Sequence, residues 1–278
     1  MPAPRPQRAA GPGGAPHREG AVRAGAVDRE PDRRGRVSDA AAAAQVDTDR
    51  VALLLAAVAA VLVVVGAVVN VVIYQVLGGM EADAARVLAR FDLGHEPSVP
   101  AWFSSSLLLL DAAMLLLIAR ATRAAGGRYA PHWFVLGIIF VGLSIDEAAL
   151  FHEMIDTALS RGLETDGILT FPWVLAGGGF ALAVGAAYIP FLLAIPRRFA
   201  ALFVVSGAIF VGGAVGMELA SATAIDRHTV ASLAHAATQT VEEAMEMAGA
   251  ILFFFALGRY WSAAHGRVRL VSGGGRDH

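Results

Sequence analysis

The chain carries its apolar residues in long blocks, and this feature limits its fold more than any other. Each block is about 20 residues long, which is the length an α-helix needs to cross roughly 30 Å of hydrocarbon. The 278 residues are 56% hydrophobic, with a mean hydropathy of +0.58. This is more apolar than a soluble domain of ordinary composition. The sequence therefore predicts an all-α, polytopic integral membrane protein whose helices form a bundle.

Six apolar segments qualify as membrane spans. Together they form one predicted transmembrane domain, with a tail on each side of it. Residues 1–46 are rich in Pro, Gly, Ala and Arg and have few large apolar residues, so we expect a disordered cytoplasmic tail. The transmembrane domain is expected over 47–262, and a short cytoplasmic tail over 263–278. The six predicted spans are 51–76, 101–120, 132–154, 168–194, 199–222 and 235–260.

The distribution of arginine orients the predicted bundle. The N-terminal tail holds nine Arg when Arg50 is included, and the segment after the second span carries Arg120, Arg123 and Arg128 without an acid. The alternate loops carry acids such as Glu96. By the positive-inside rule, the basic segments and both termini are cytoplasmic. The bias toward Ala, Arg, Gly and Val suggests a high-GC bacterial genome, so we expect the bacterial inner membrane.

Carboxylates interrupt the apolar blocks at one level of the predicted bilayer. At a rise of about 1.5 Å per residue, all of them fall in its outer half. They are Asp111, Asp146, Glu147, Glu218, Glu242, Glu243 and Glu246, with Glu153 at the rim. A charge at this depth is costly unless it is paired or hydrated. Lys is absent and no Arg lies in a predicted span away from its ends, which leaves His152 and His235 as the only cations. The carboxylates must therefore be protonated, hydrated or bound to a cation.

Helical periodicity gathers these acids into one predicted site. At about 100° per residue, five of the six predicted spans carry a polar stripe, which indicates a polar cavity open to the outside. On a continuous third span, Asp146 and Glu153 share a face. The predicted metal ligands are Asp146, Glu147, His152, Glu153, Glu218, His235, Glu242, Glu243 and Glu246. Glu243 and Glu147 are candidate general bases. The residues expected to line the rest of the cavity are Asn70, Tyr74, Ser104, Asp111 and Gln239.

The residue types limit the cofactor. Carboxylates with one or two imidazoles suit Fe, Mn or Zn, whereas all-oxygen sites suit Ca or Mg. A divalent metal ion, Fe, Mn or Zn, is therefore the expected cofactor. The absence of Cys excludes thiolate ligands, and the absence of Lys excludes a retinal Schiff base. Nothing in the sequence implies a haem, a flavin, a nucleotide or a nucleic-acid partner. The Glu-x-x-His pairs of di-iron bundles are missing, and Met247 stands where the EExxxR motif of CAAX-type membrane proteases has Arg.

Two segments carry a resemblance to other proteins. LSIDEAALFHE (143–153) and VEEAMEMAGAILFFFAL (241–257) resemble a group of uncharacterised bacterial multi-pass membrane proteins. These proteins carry similar DE…HE and EExxEMxG signatures in their third and last spans. The resemblance covers roughly residues 100–260. It implies that the acidic residues form one site, and it implies no particular chemistry.

Three functions are compatible with such a site. The first is a membrane-embedded metal-dependent enzyme that acts on a lipid-like substrate from the outer leaflet, with the metal as Lewis acid and a spare Glu as base. The second is a proton- or cation-coupled secondary transporter of an amphipathic or cationic small molecule. The third is a sensor of external pH or metal. The sequence favours the first by a small margin and does not indicate an oligomeric state.

Overall fold

A computed structural model describes residues 44–45, 47–79, 81, 83–160, 172–227, 232–265 and 269–270. Two strands of two residues, β1 (Ala44–Gln45) and β2 (Arg269–Leu270), pair in antiparallel fashion. The helices all belong to one compact unit, Ala43–His278, while the other unit, Met1–Ala42, lies outside the described residues. The predicted tail 1–46 also lies outside them, except for β1.

Nine α-helices make up most of the described chain. They are α1 (Thr48–Val71), α2 (Asp83–Leu88), α3 (Val99–Ala124), α4 (Ala130–Ala149), α5 (Phe151–Ser160), α6 (Trp173–Ala194), α7 (Arg197–Val211), α8 (Glu218–Arg227) and α9 (Leu233–His265). A π-helical turn, Val72–Val76, extends α1, and a second, Gly212–Met217, joins α7 to α8. A 3₁₀ turn, Ala89–Phe91, follows α2.

Within the described residues, five helical segments are long and apolar enough to cross a membrane. They are Thr48–Val76, Val99–Ala124, Ala130–Ala149, Trp173–Ala194 and Arg197–Ala222. They overlap the first five predicted spans, which confirms the prediction of a helical chain with several helices of membrane-spanning length and composition. Residues 168–171 of the predicted fourth span lie outside the described residues. The sixth predicted span lies within α9, a helix of 33 residues that does not belong to this set.

The third predicted span ends earlier than the sequence suggests. The sequence pattern predicts one helix over 132–154, but α4 ends at Ala149 and Leu150 adopts a left-handed conformation with φ of 60°. The backbone N–H of His152 donates a hydrogen bond to Asp146 Oδ1 at 2.8 Å, so the Asp146 side chain holds the start of α5. The prediction of a continuous helical face beyond Ala149 is therefore wrong, because the chain changes direction at Leu150.

Close packing fixes α9 against α1, α3 and α7. A Cβ atom placed on Gly249 would lie 2.7 Å from the backbone nitrogen of Phe210 in α7. The side-chain amide of Asn70 in α1 donates to Thr240 Oγ1 at 3.2 Å. These contacts leave little freedom for α9 to rotate, and they determine which of its glutamates face inward.

Aromatic residues fill the end of the bundle where α4 and α7 begin. Trp133 lies 4.8 Å from both Phe191 and Tyr260, measured between ring centroids. At the same end, Arg259 Nη1 pairs with Asp49 Oδ2 at 2.9 Å and joins the end of α9 to the start of α1. The predicted metal ligands lie toward the opposite end, where α4 ends and where α6 and α9 begin.

Candidate metal centre

A cavity of about 490 Å³ lies at the end of the bundle where α4 ends and α9 begins. Its volume falls within the range of roughly 300–1,000 Å³ that is common for small-molecule sites. The carboxylates that line it are Glu96, Asp146, Glu147, Glu153, Asp156, Glu218, Glu242, Glu243 and Glu246. Its two imidazoles are His152 and His235, and none of the described lining residues is an Arg. The cavity therefore attracts cations.

The cavity brings together most of the site residues that the sequence singles out. All nine predicted metal ligands line it, and so does Gln239. Four predicted lining residues, Asn70, Tyr74, Ser104 and Asp111, are not among the residues that line it. Asn70, Ser104 and Asp111 are buried against other parts of the bundle, and Tyr74 packs in a small apolar cluster beside α2. The predicted polar stripes of α1 and α3 therefore do not line this cavity.

Three carboxylates from separate elements converge inside the cavity. Glu96 comes from the segment before α3, Glu147 from the last turn of α4, and Glu243 from α9. Each offers one oxygen atom, and the three oxygens lie within 4.8 Å of one another. Each residue also has one buried oxygen without a hydrogen-bond partner among the described residues. We call these three residues the triad; their spacing and their unpartnered oxygens show that they could hold a metal ion.

Glu96 is the member of the triad that sequence reasoning missed, because its position predicts only an acidic loop. The structure ties this loop to the bundle at two neighbouring residues. Leu93 is completely buried in an apolar cluster that includes Met247, and Gln239 Nε2 donates to the carbonyl of Gly94 at 3.5 Å. The signal available in the sequence was an apolar Leu followed by a Gly within an otherwise polar segment.

The environment of Glu96 disfavours an unpaired negative charge. Burial is the main reason that the pKa of Glu96 is raised to about 7; the charge of His152 acts to lower this pKa, and the charges of Glu153 and Asp146 act to raise it. A cation among the triad oxygens would favour the ionised carboxylate and so offset the cost of its burial.

His152 and Asp146 form a carboxylate–imidazole pair in the cavity wall. Nδ1 of His152 lies 3.2 Å from Asp146 Oδ2, and the imidazole ring lies 5.4 Å from the Trp173 ring. Burial lowers the pKa of His152, but the hydrogen bond to Asp146 and the charges of Asp146, Glu96 and Glu147 together outweigh burial and raise the pKa overall. Nε2 is then the ring nitrogen that Asp146 does not engage. Such pairs orient histidines that bind metals or act as bases.

A π-helical turn positions Glu218 in the cavity. The turn Gly212–Met217 directly precedes Glu218 and widens the helix locally, which changes the angular position of the residues that follow. A Cβ atom on Gly213 would lie 2.9 Å from the carbonyl oxygen of Glu242, so the turn packs directly on α9. Ser221 Oγ donates to Thr238 Oγ1 at 2.8 Å and fastens α8 to α9. Turns of this kind are frequent at functional sites.

Asp111 gives a prediction about stability. Its side chain is completely buried in α3, and neither carboxyl oxygen has a partner among the described residues. Burial of an unpartnered polar group costs about 1–3 kcal/mol. We therefore expect Asp111→Leu to raise the apparent melting temperature in detergent, measured by scanning fluorimetry. Asp83→Leu, at a fully exposed carboxylate, should leave it unchanged. A lower melting temperature for Asp111→Leu would mean that Asp111 has a polar or ionic partner.

Comparison with known proteins identifies one family. Residues 51–261 match DUF8692, which is described as a domain of unknown function. The matched region runs from α1 into α9 and contains every residue of the cavity. Neither a curated protein nor a solved structure matches the chain.

Proposed function

We propose that this chain, which belongs to the DUF8692 family, is a membrane-embedded, metal-dependent enzyme that acts on a lipid-like substrate. One observation carries the proposal: Glu96, Glu147 and Glu243 bring carboxylate oxygens within 4.8 Å of one another inside a cavity. The cavity lies at the end of a bundle that contains five helices of membrane-spanning length. A substrate from the bilayer is therefore available to it.

The proposal includes an orientation in the membrane. We take α9 as the sixth span, because it packs against three of the candidate spans. Arg120 lies near the end of α3 and Arg128 lies in the connection to α4, at the end of the bundle away from the cavity. By the positive-inside rule, that end and both termini are in the cytoplasm of a bacterial inner membrane, and the cavity opens outward.

Single-cysteine variants test this orientation, because the chain contains no Cys. Thr157→Cys lies at the cavity wall, and Ala125→Cys lies in the exposed connection after α3. In spheroplasts we expect a membrane-impermeant maleimide to label Thr157→Cys. It should label Ala125→Cys only after lysis. The reverse pattern would contradict the proposed orientation.

The ligands and the base have separate roles in the proposed chemistry. A divalent ion held by Glu96, Glu147 and Glu243 would supply Lewis acidity and a more acidic bound water. Among Fe, Mn and Zn, a set of oxygen ligands favours Mn. Because Glu147 and Glu243 belong to the triad, we assign the role of general base to His152, which Asp146 holds in place.

Elemental mass spectrometry of the purified wild-type protein tests the proposal. In mild detergent, we expect about one equivalent of Mn, Fe or Zn to remain bound after dialysis, because three converging carboxylates with unpartnered oxygens favour a bound cation. Protein that binds none of these metals after reloading would contradict a metal-dependent enzyme.

Asp111 favours a second candidate function, proton- or cation-coupled transport. This buried carboxyl follows Leu108, a residue of the cavity wall, by three positions, so it lies about one helical turn farther from the cavity end. Buried membrane carboxyls are typical of proton relays. If the chain transports Mn²⁺, proteoliposomes should quench internal calcein on Mn²⁺ addition, and Asp111→Asn should stop the quenching. Wild-type vesicles without Mn²⁺ entry would contradict transport of this ion.

A further inference from the structure

The helix α5 forms one wall of the cavity with its polar face. Four of its ten residues, His152, Glu153, Asp156 and Thr157, line the cavity. The backbone N–H of Trp173 donates to Asp156 Oδ1 at 3.2 Å and joins α5 to the start of α6. The polar face of α5 is thus held by the neighbouring helices on both sides.

The other face of α5 is apolar and exposed. Phe151, Met154 and Ile155 are 48%, 63% and 46% exposed. Their spacing of three and four residues puts them on one side of the helix. Large apolar side chains that are exposed together mark an interaction surface rather than a face in contact with water. We call these three residues the α5 apolar face.

The position of α5 indicates that this face contacts lipid. The helix begins two residues after the end of α4, a segment long and apolar enough to span the membrane. Ile145, in the last turn of α4, is 50% exposed and belongs to the apolar surface of that span. Exposed apolar side chains therefore lie on both sides of the turn at Leu150, at the end of this span. Amphipathic helices in such a position lie in the interface, with their apolar side against acyl chains.

The charge of the cavity selects the headgroup. Nine carboxylates line the cavity, and no Arg is among its described lining residues. Even with a divalent ion held by the triad, six carboxylates remain to repel an anionic headgroup and to attract an ammonium group. Glu218, Glu242 and Glu246 are among these six.

We propose that the α5 apolar face docks the acyl chain of a phospholipid whose ammonium-bearing headgroup enters the acidic cavity. The inference rests on the proposed function only in treating this lipid as the substrate class. The lipid site itself depends on the geometry of α5 and on the charge of the cavity. In this proposal, α5 binds a lipid from the bilayer so that its headgroup lies near the triad.

Lipid retention tests the site. The full chain is reconstituted in nanodiscs that contain phosphatidylethanolamine and phosphatidylglycerol in equal amounts, with identical acyl chains. After extraction into mild detergent, native mass spectrometry counts the lipids that remain bound. We expect phosphatidylethanolamine to exceed phosphatidylglycerol by about fivefold or more. The double variant Met154→Gln/Ile155→Gln should lose this lipid, while Glu242→Gln/Glu246→Gln should lose the headgroup preference.

A matched control separates docking on α5 from general contact with the bilayer. Leu182 and Leu193 are 77% and 81% exposed on α6, so Leu182→Gln/Leu193→Gln should retain the lipid. Melting temperatures show whether each variant is folded. Equal retention of both lipids by the wild type would overturn the proposal, and so would full retention by the α5 variant. Metal content, measured in the same samples, is independent of these results. Selective lipid retention without metal would contradict the enzyme and leave the lipid site intact.

Spin labels on single cysteines test the same proposal without relying on lipid retention. Ile155→Cys and Thr157→Cys are two residues apart and so place a nitroxide on opposite faces of α5, in a chain that has no other Cys. In nanodiscs we expect oxygen to collide more often with the label at 155, and a water-soluble nickel chelate with the label at 157. A label at 155 that meets the nickel chelate, or that is shielded from both reagents by a second copy of the chain, would overturn the proposal.

Discussion

Replacement of Glu243 by Gln is expected to abolish stoichiometric binding of a divalent metal ion. The substitution keeps the size of the side chain and removes one of three negative charges whose oxygens lie within 4.8 Å of one another. Loss of a residue that only supports a metal ligand costs about 10–100-fold in affinity, and loss of a ligand should cost more. We therefore expect the Mn²⁺ affinity to fall by about 100-fold or more, as measured by calorimetry and by elemental mass spectrometry.

Two further variants locate the metal within the cavity. Glu96→Gln should weaken binding to a similar degree, although the sequence pattern gives Glu96 no role in the site. Glu153→Gln is the matched control, because this exposed carboxylate lines the cavity and is outside the triad. It should reduce the affinity only through a small change in the electrostatic field. If Glu153→Gln weakened binding as strongly as Glu243→Gln, or if Glu96→Gln had no effect, the triad would not be the metal site.

Substitution of Gly249 by Ala is expected to destabilise the bundle strongly for so small a change. The added Cβ would lie 2.7–2.9 Å from the N, Cβ and Cα atoms of Phe210. Backbone atoms cannot move aside as a flexible side chain can, so α7 and α9 must separate. Overpacking of this kind costs about 1–3 kcal/mol. The apparent melting temperature in detergent should therefore fall by several degrees, and binding of metal at the triad should weaken with it, because α9 carries Glu243.

Gly207→Ala is the matched control, since a Cβ atom at Gly207 in α7 would meet no atom within 4 Å. Ala is better than Gly inside a helix by roughly 0.5–1 kcal/mol, so this variant should be unchanged or slightly more stable. Equal melting temperatures for Gly249→Ala and wild type would contradict the close approach of α7 and α9.

Much of the candidate site could be predicted because depth in a membrane helix follows directly from position in the sequence. A rise of about 1.5 Å per residue puts Glu242 and Glu246 at a level similar to that of Asp146 on an antiparallel neighbour. Because burying a charge in hydrocarbon is costly, residues at the same depth are expected to face one another in a shared polar site. All nine predicted ligands line the cavity for this reason. The same reasoning failed for Asp111 and Ser104, because the direction in which a stripe points depends on how its helix packs.

The sequence by itself determined that the chain forms apolar helices of membrane-spanning length and that its acids gather at one end of them. Both properties depend on local composition and on a fixed helical rise. Only the tertiary structure decided that α4 stops at Leu150, that Glu96 joins Glu147 and Glu243, and that α5 presents one face to the cavity. A single left-handed residue ends a helix and changes the direction of the chain without a composition signal, and a loop enters a site only when distant contacts hold it there. Those contacts, such as the one between Gly94 and Gln239, join residues far apart in the chain, and no local pattern records them.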